Sequence, residues 1–158
     1  MPDQLPPMAP LASRWRKLAE TTCREKSERL TPARLAVYAE LLACTNPVSA
    51  YELIALLESR QNRKIAPLTV YRQLDFLMRI GLVHRLQSTH AYMVCSHPDH
   101  VHESQFLLCS ACGSVDEVEA NGLEKLLTQI ADEHGFKSDN VVVEVKGLCI
   151  DCAKQEQA

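Results

Sequence analysis

The sequence predicts an α+β chain in two parts, a set of helices closed by a short hairpin and then a smaller strand-helix-strand part. Three observations carry this. Apolar residues recur at helical spacing four times before Ile80, and two short β-like runs follow them. Beyond a histidine-rich stretch the pattern changes to short strands around one helix, framed by Cys-x-x-Cys pairs at 109–112 and 149–152. A chain of 158 residues, 46% of them hydrophobic, is long enough for two small cores. No apolar run approaches the roughly 18 residues that a membrane helix needs.

The opening M-P-D-Q-L-P-P-M-A-P has four prolines and neither a basic nor an apolar segment, so residues 1–10 are expected to be a disordered arm and not a signal peptide. Leu11, Trp15, Leu18, Ala19 and Thr22 form the first helical stripe, with Arg14, Arg16 and Lys17 off it. Thr31-Pro32 is an N-cap with proline at the first helical position, and Leu35, Ala39 and Leu42 are the expected buried face of a second helix. Asn46-Pro47 ends that helix. Ser49-Ala50-Tyr51-Glu52 is a capping box for a third, with Leu53, Ile54, Leu56 and Leu57 inside.

After the basic stretch from Arg60 to Lys64, Pro67 opens a fourth helix that stops at Gly81. Val70, Leu74, Leu77 and Met78 face inward, leaving Thr69, Tyr71, Arg72 and Gln73 outside. Leu82–Gln87 and Ala91–Cys95 read as a hairpin around Ser88-Thr89-His90. Helices followed by a hairpin make a winged helix-turn-helix domain over residues 11–96, with the fourth helix in the recognition position. Residues 97–103 are the expected hinge, and 104–158 a C-terminal α/β dimerisation domain. In that domain Gln105–Cys109 and Ser114–Glu119 are strands around a Cys-Gly turn. A helix from Asn121 to His134 carries Leu123, Leu126, Leu127 and Ile130 on one face, and Asn140–Lys146 is a β-branched strand.

Charge divides the same way. Residues 1–84 hold 12 Lys and Arg against 8 Asp and Glu, net +4; residues 85–158 hold 5 against 12, net -7. A basic half joined to an acidic half is compatible with a polyanion partner for the first alone, although solvated charged faces produce the same balance.

Seven cysteines is a high count for this length. In a cytoplasmic protein, the compartment expected here, paired cysteines are metal ligands more often than disulfides. Cys109, Cys112, Cys149 and Cys152 have zinc-knuckle spacing: two intervening residues let both thiolates reach one ion at about 2.3 Å, and two knuckles complete a tetrahedron. Four protein ligands leave no open position, so this zinc is structural. Cys23 and Cys44, in helical stretches, read as small buried hydrophobes.

A second set is less regular. A short loop centred on Thr89-His90 makes Ser88 face Ala91 and His84 face Cys95, close enough to share a metal, whereas a slip of one residue would put the two on opposite faces; His102 and Glu117 complete the candidate set. Each of these residues also has an ordinary reading as surface or core, and spacing leaves both open. The run H-P-D-H-V-H-E at 97–103 is either a metal-binding stretch or a solvated loop in which His102 alone matters. Glu124 and His134 are a further candidate pair, with a plain surface reading beside it. Enzyme chemistry is poorly served. A zinc deaminase needs H-x-E and P-C-x-x-C, but Glu103 directly follows His102 and neither knuckle follows a proline. No glycine-rich phosphate loop is present, so neither an enzyme nor a small-molecule substrate is expected.

R-L-T-P-A-R at 29–34, S-A-Y-E-L at 49–53, T-V-Y-R-Q-L-D-F-L at 69–77, G-L-V-H-R at 81–85, Y-M-V-C at 92–95 and the C-x-x-C-G…C-x-x-C frame together resemble the ferric uptake regulator superfamily, from about Leu18 to Cys152. Within it the chain looks most like the zinc uptake regulators. S-Q-F-L-L stands before the first knuckle, where iron- and peroxide-sensing relatives place more His and Asp, and Leu68 stands where relatives often have proline.

The resemblance implies a homodimeric, zinc-responsive repressor of zinc-uptake genes on a double-stranded DNA operator, with zinc as corepressor and at least two ions per chain. It selects His84, Cys95, His102 and Glu117 as the regulatory zinc ligands. By fixing the angle between the domains, that zinc would set two recognition helices about one DNA turn apart, roughly 34 Å. Arg72 is then expected to read a purine, Thr69 and Tyr71 to touch DNA beside it, and Arg34, Tyr51 and Lys64 to meet phosphates.

Overall fold

Local signals set most helix boundaries in the structure, a computed structural model describing residues 8–98, 105–139 and 141–156. The expectations for His100, His102, Glu103 and Asn140, and for residues 1–7, lie outside the described residues. The chain divides into two compact units, residues 1–100 and 101–158.

The first unit begins with α1 (Met8–Glu25), which starts inside the stretch expected to be an arm. In α2 (Pro32–Ala43) the Thr31 side chain accepts from the Arg34 N–H, and Pro32 loses no hydrogen bond in the first turn. Strand β1 (Val48–Ser49), too short to be read from sequence, leads into α3 (Ala50–Gln61). There the capping box closes reciprocally: the Ser49 N–H donates to Glu52 Oε2 at 2.7 Å, and the Glu52 N–H donates to Ser49 Oγ at 3.3 Å. Helix α4 (Pro67–Arg79) ends at Gly81, whose φ of +83° lets the Leu82 N–H return to the Leu77 carbonyl at 2.9 Å. Strands β2 (Val83–Arg85) and β3 (Ala91–Val94) form the wing, with β1 on the outer side of β3.

The core of this unit is formed by Tyr38, Leu53, Val70, Leu74, Leu77 and Leu82 with their neighbours. Three faces differ from expectation. The buried residues of α2 are Val37, Tyr38, Glu40 and Leu41, whereas Ala39 is exposed. Leu56 is 40% exposed, because α3 packs through Leu53, Ile54 and Leu57. Tyr71 is half-buried against the core and not outside it. The carboxylate of buried Glu40 is held from two sides by Arg60, Nε at 2.6 Å and Nη2 at 3.0 Å, which supplies the pairing a buried charge requires.

The hairpin register also differs. His84 opposes Met93 and Arg85 opposes Tyr92, and the Cys95 N–H donates to the Leu82 carbonyl at 2.9 Å. His84 and Cys95 are therefore not directly opposed. The Leu86 N–H bonds the Ala91 carbonyl and closes a four-residue loop in which His90 takes a left-handed φ of +56°.

The second unit is a three-stranded sheet in the order β5-β4-β6. Strands β4 (Gln105–Cys109) and β5 (Val115–Val118) are antiparallel, whereas β6 (Val143–Gly147) runs parallel to β4 after crossing through α5 (Leu123–Glu133). Helix α6 (Ile150–Glu156), not foreseen from sequence, closes the chain. No residue of α5 is buried. Leu126 is 53% and Ile130 44% exposed, so this apolar face is uncovered within one chain.

Candidate metal centres and nucleic-acid face

The two Cys-x-x-Cys pairs meet because β4 and β6 are parallel neighbours. Cys109 ends β4 opposite Gly147, two residues before Cys149, so both pairs emerge at one end of the sheet. The Ser110 N–H donates to the Gly147 carbonyl at 2.8 Å and fastens that end. Between Cys109 and Ser114 the chain turns through Gly113, whose φ of +73° suits glycine. Cys152 is carried on α6.

The four sulfurs lie within 4.8 Å of one another, and Cys112 Sγ is 3.8 Å from Cys149 Sγ. Thiolates about 2.3 Å from a central zinc at tetrahedral angles are separated by close to that distance, whereas a disulfide would need about 2 Å. The donor set therefore fits zinc. The Cys149 N–H donates to Cys109 Sγ at 3.3 Å. Backbone N–H groups of Cys112 and Cys149 bring the Cys109 thiol down to about 6, and the Ser114 hydroxyl lowers Cys112. Hydrogen bonding with Cys149 and Cys112 raises Cys152 to about 12. The cluster thus already favours a sulfur anion, as a ligand cage for a cation must.

His84, on β2, is half-buried, and Cys95, directly after β3, is fully buried. Cys95 opposes Leu82, two positions from His84, so the side-chain period of two keeps them on one sheet face as diagonal neighbours. Their ligand atoms lie within 4.8 Å. Glu117 is half-buried on β5 in the second unit, opposite Phe106. His97 is exposed. Glu124 and His134 join no group of three or more metal-ligating side chains among the described residues. Cys23 is buried as expected, whereas Cys44, the C-cap of α2, is only half-buried and its thiol donates to the Glu40 carbonyl at 3.3 Å; burial raises both thiols.

On α4, Thr69 and Arg72 are exposed. Tyr51, in the first turn of α3, is 77% exposed, and exposed Lys64 pairs with Glu58 at 3.0 Å. Arg34 is held more firmly. Its guanidinium lies over the Phe76 ring, 3.3 Å from the centroid, and donates to the Arg29 carbonyl. Arg79 approaches the same ring at 5.3 Å and pairs with Glu28. Sequence periodicity missed Phe76, which lies off the inner face of α4 and is buried beneath side chains from elsewhere.

The profile of the Ferric uptake regulator family matches residues 25–146. The chain belongs to the ferric uptake regulator family. Within that family it is 38% identical over 139 residues to the zinc uptake regulation protein of Escherichia coli strain K12, covering 87% of this chain and 81% of that one. It is 34% identical over 127 residues to the zinc uptake regulation protein of Mycobacterium tuberculosis strain H37Rv, covering 78% and 94%. A solved zinc uptake regulator complexed with zinc and DNA matches it with a TM-score of 0.87 at 36% identity, covering 93% of this chain and 98% of that one.

Proposed function

We propose that this chain is a zinc-responsive, DNA-binding transcriptional regulator that acts mainly as a cytoplasmic repressor of zinc-uptake genes, with zinc as corepressor. The observation that carries this reading is the likeness, across nearly the whole chain, to a zinc uptake regulator complexed with zinc and DNA. Its family consists of regulators.

Two zinc ions serve different ends in this reading. The four-cysteine zinc staples the ends of β4 and β6 and contributes folding energy directly. The regulatory zinc is held by His84, Cys95, His102 and Glu117. A thiolate among its ligands favours zinc over iron or manganese, which prefer nitrogen and oxygen donors. When bound, this zinc supplies a cross-link between the wing and the C-terminal unit and so biases their relative angle. Zinc and DNA affinities are then coupled, and the coupling is reciprocal.

Arg72 reads a base edge in the major groove, with Thr69 and Tyr71 beside it, while Arg34, Tyr51 and Lys64 meet phosphates. A second copy of the chain covers the apolar surface of the second unit, where Leu126, Ile130, Phe136 and Val145 are all more than 40% exposed. A symmetric dimer calls for a two-fold symmetric operator. Selection from a random-sequence duplex library, with zinc present, tests this. One palindromic sequence should be enriched; recovery of unrelated sequences in proportion to their abundance would refute the reading.

A further inference from the structure

Thr69, Arg72, Phe76 and Arg79 follow one another at spacings of three, four and three along α4, so they share one stripe of that helix. Thr69, Arg72 and Arg79 are exposed, whereas Phe76 is 4% exposed. A ring buried on the outward stripe of a helix needs a cover. The Arg34 guanidinium, from the first turn of α2, supplies it at 3.3 Å from the ring centroid. Four residues of helix rise by about 6 Å, so this guanidinium stands about one turn beyond Arg72, over the same stripe of α4.

The two arginines that approach the ring differ in charge balance. Arg79 is paired with the Glu28 carboxylate. The partners of Arg34 described above, the Phe76 ring and the Arg29 carbonyl, are neutral and do not cancel its charge. At this separation the planar guanidinium lies against the ring face, which keeps its N–H donors at the edge. Stacking also orders in advance a long side chain whose immobilisation would otherwise weaken binding.

We propose that Phe76 is a positioning residue for DNA binding: its ring sets the Arg34 guanidinium beside the base-reading stripe of α4, where it meets a phosphate flanking the base that Arg72 reads. The inference rests on Arg34 being a phosphate contact. It adds a buried residue that touches no DNA and acts through that guanidinium.

The test measures affinity of the zinc-loaded, full-length dimer for the palindromic duplex enriched by selection, and for its single-base variants, across a range of salt. Parent, Arg34→Ala, Phe76→Leu and the double variant are compared. Phe76→Leu should weaken every duplex alike by about 5-fold or more, the factor that one cation–π contact is worth, and lower the salt slope. Arg34→Ala should also weaken all duplexes alike, with the slope falling by about one per chain. Adding Phe76→Leu to Arg34→Ala should cost less than about two-fold more, because the two changes remove one contact. Parental affinity in Phe76→Leu, an unchanged salt slope, or additive losses in the double variant each overturns the proposal. If Arg34→Ala weakens binding and Phe76→Leu does not, only the role of Phe76 falls; if Arg34→Ala binds as the parent does, the phosphate contact falls as well. Should Phe76→Leu fail to assemble, Arg34→Lys decides, since it leaves the core untouched and keeps the charge without the planar face. Its affinity should fall by about 3-fold or more, and parental affinity would overturn the proposal.

Discussion

His84 and Cys95 are diagonal neighbours across the β2–β3 hairpin, with His84 opposite Met93 and Cys95 opposite Leu82. A shift of two residues from direct opposition preserves the shared face, where a shift of one would have separated them. Imidazole and thiol consequently lie within ligand distance of one ion. Cys95→Ser should keep the fold, the dimer and the four-cysteine zinc but lose zinc-dependent DNA binding, as read by gel shift beside a zinc count. A variant that still binds DNA only with zinc would move the sensor elsewhere.

Cys112→Ser should act on folding. Cys112 is 3.8 Å from Cys149 and shares its cluster with the two remaining cysteines. Losing one of four thiolates from a structural site removes much of the metal's folding energy. Zinc analysis and sedimentation should give zinc-poor, monomeric or unfolded protein. A dimer with unchanged melting would show that the cluster is dispensable.

Arg60→Ala should destabilise the first unit by about 2 kcal/mol. It strands the carboxylate of Glu40, whose side chain is 5% exposed. Breaking a fully buried pair costs about 3–5 kcal/mol, and the figure is lower here because Arg60 is 67% exposed and its charge is screened. Urea unfolding reads the difference, and an unchanged midpoint would contradict the pairing's structural role.

Arg72→Ala and Lys64→Ala should separate base reading from phosphate contact. Arg72 is exposed on α4, and its loss should cost about 1–3 kcal/mol on the preferred duplex and relax base choice. Lys64→Ala should weaken all duplexes alike and reduce the salt slope by about one. Undiminished sequence preference in Arg72→Ala would mean that α4 lies differently on the DNA.

Local chemistry made the helix ends legible. Thr31-Pro32, Ser49 with Glu52, and Gly81 each mark a boundary that needs no distant contact. The four-cysteine centre was legible because C-x-x-C spacing is itself a metal geometry. The hairpin register was not, because Ser88-Thr89-His90 lacks a strong turn dipeptide, and the left-handed residue proved to be His90. Phe76 and Glu40 were hidden for a different reason. The guanidinium of Arg34 stacks on the first, and Arg60 pairs the second, both from other helices. The apolar stripe of α5 was legible as a stripe, but its period does not say that it stays uncovered within one chain.

The most direct test of the central claim is affinity for the enriched duplex measured against buffered free zinc, with iron(II) and manganese(II) as controls. Zinc should raise affinity at least 10-fold along a saturable curve, while iron and manganese should have little effect at matched free concentrations. Equal response to all three metals, or tight binding after removal of every zinc except the four-cysteine one, would contradict the account.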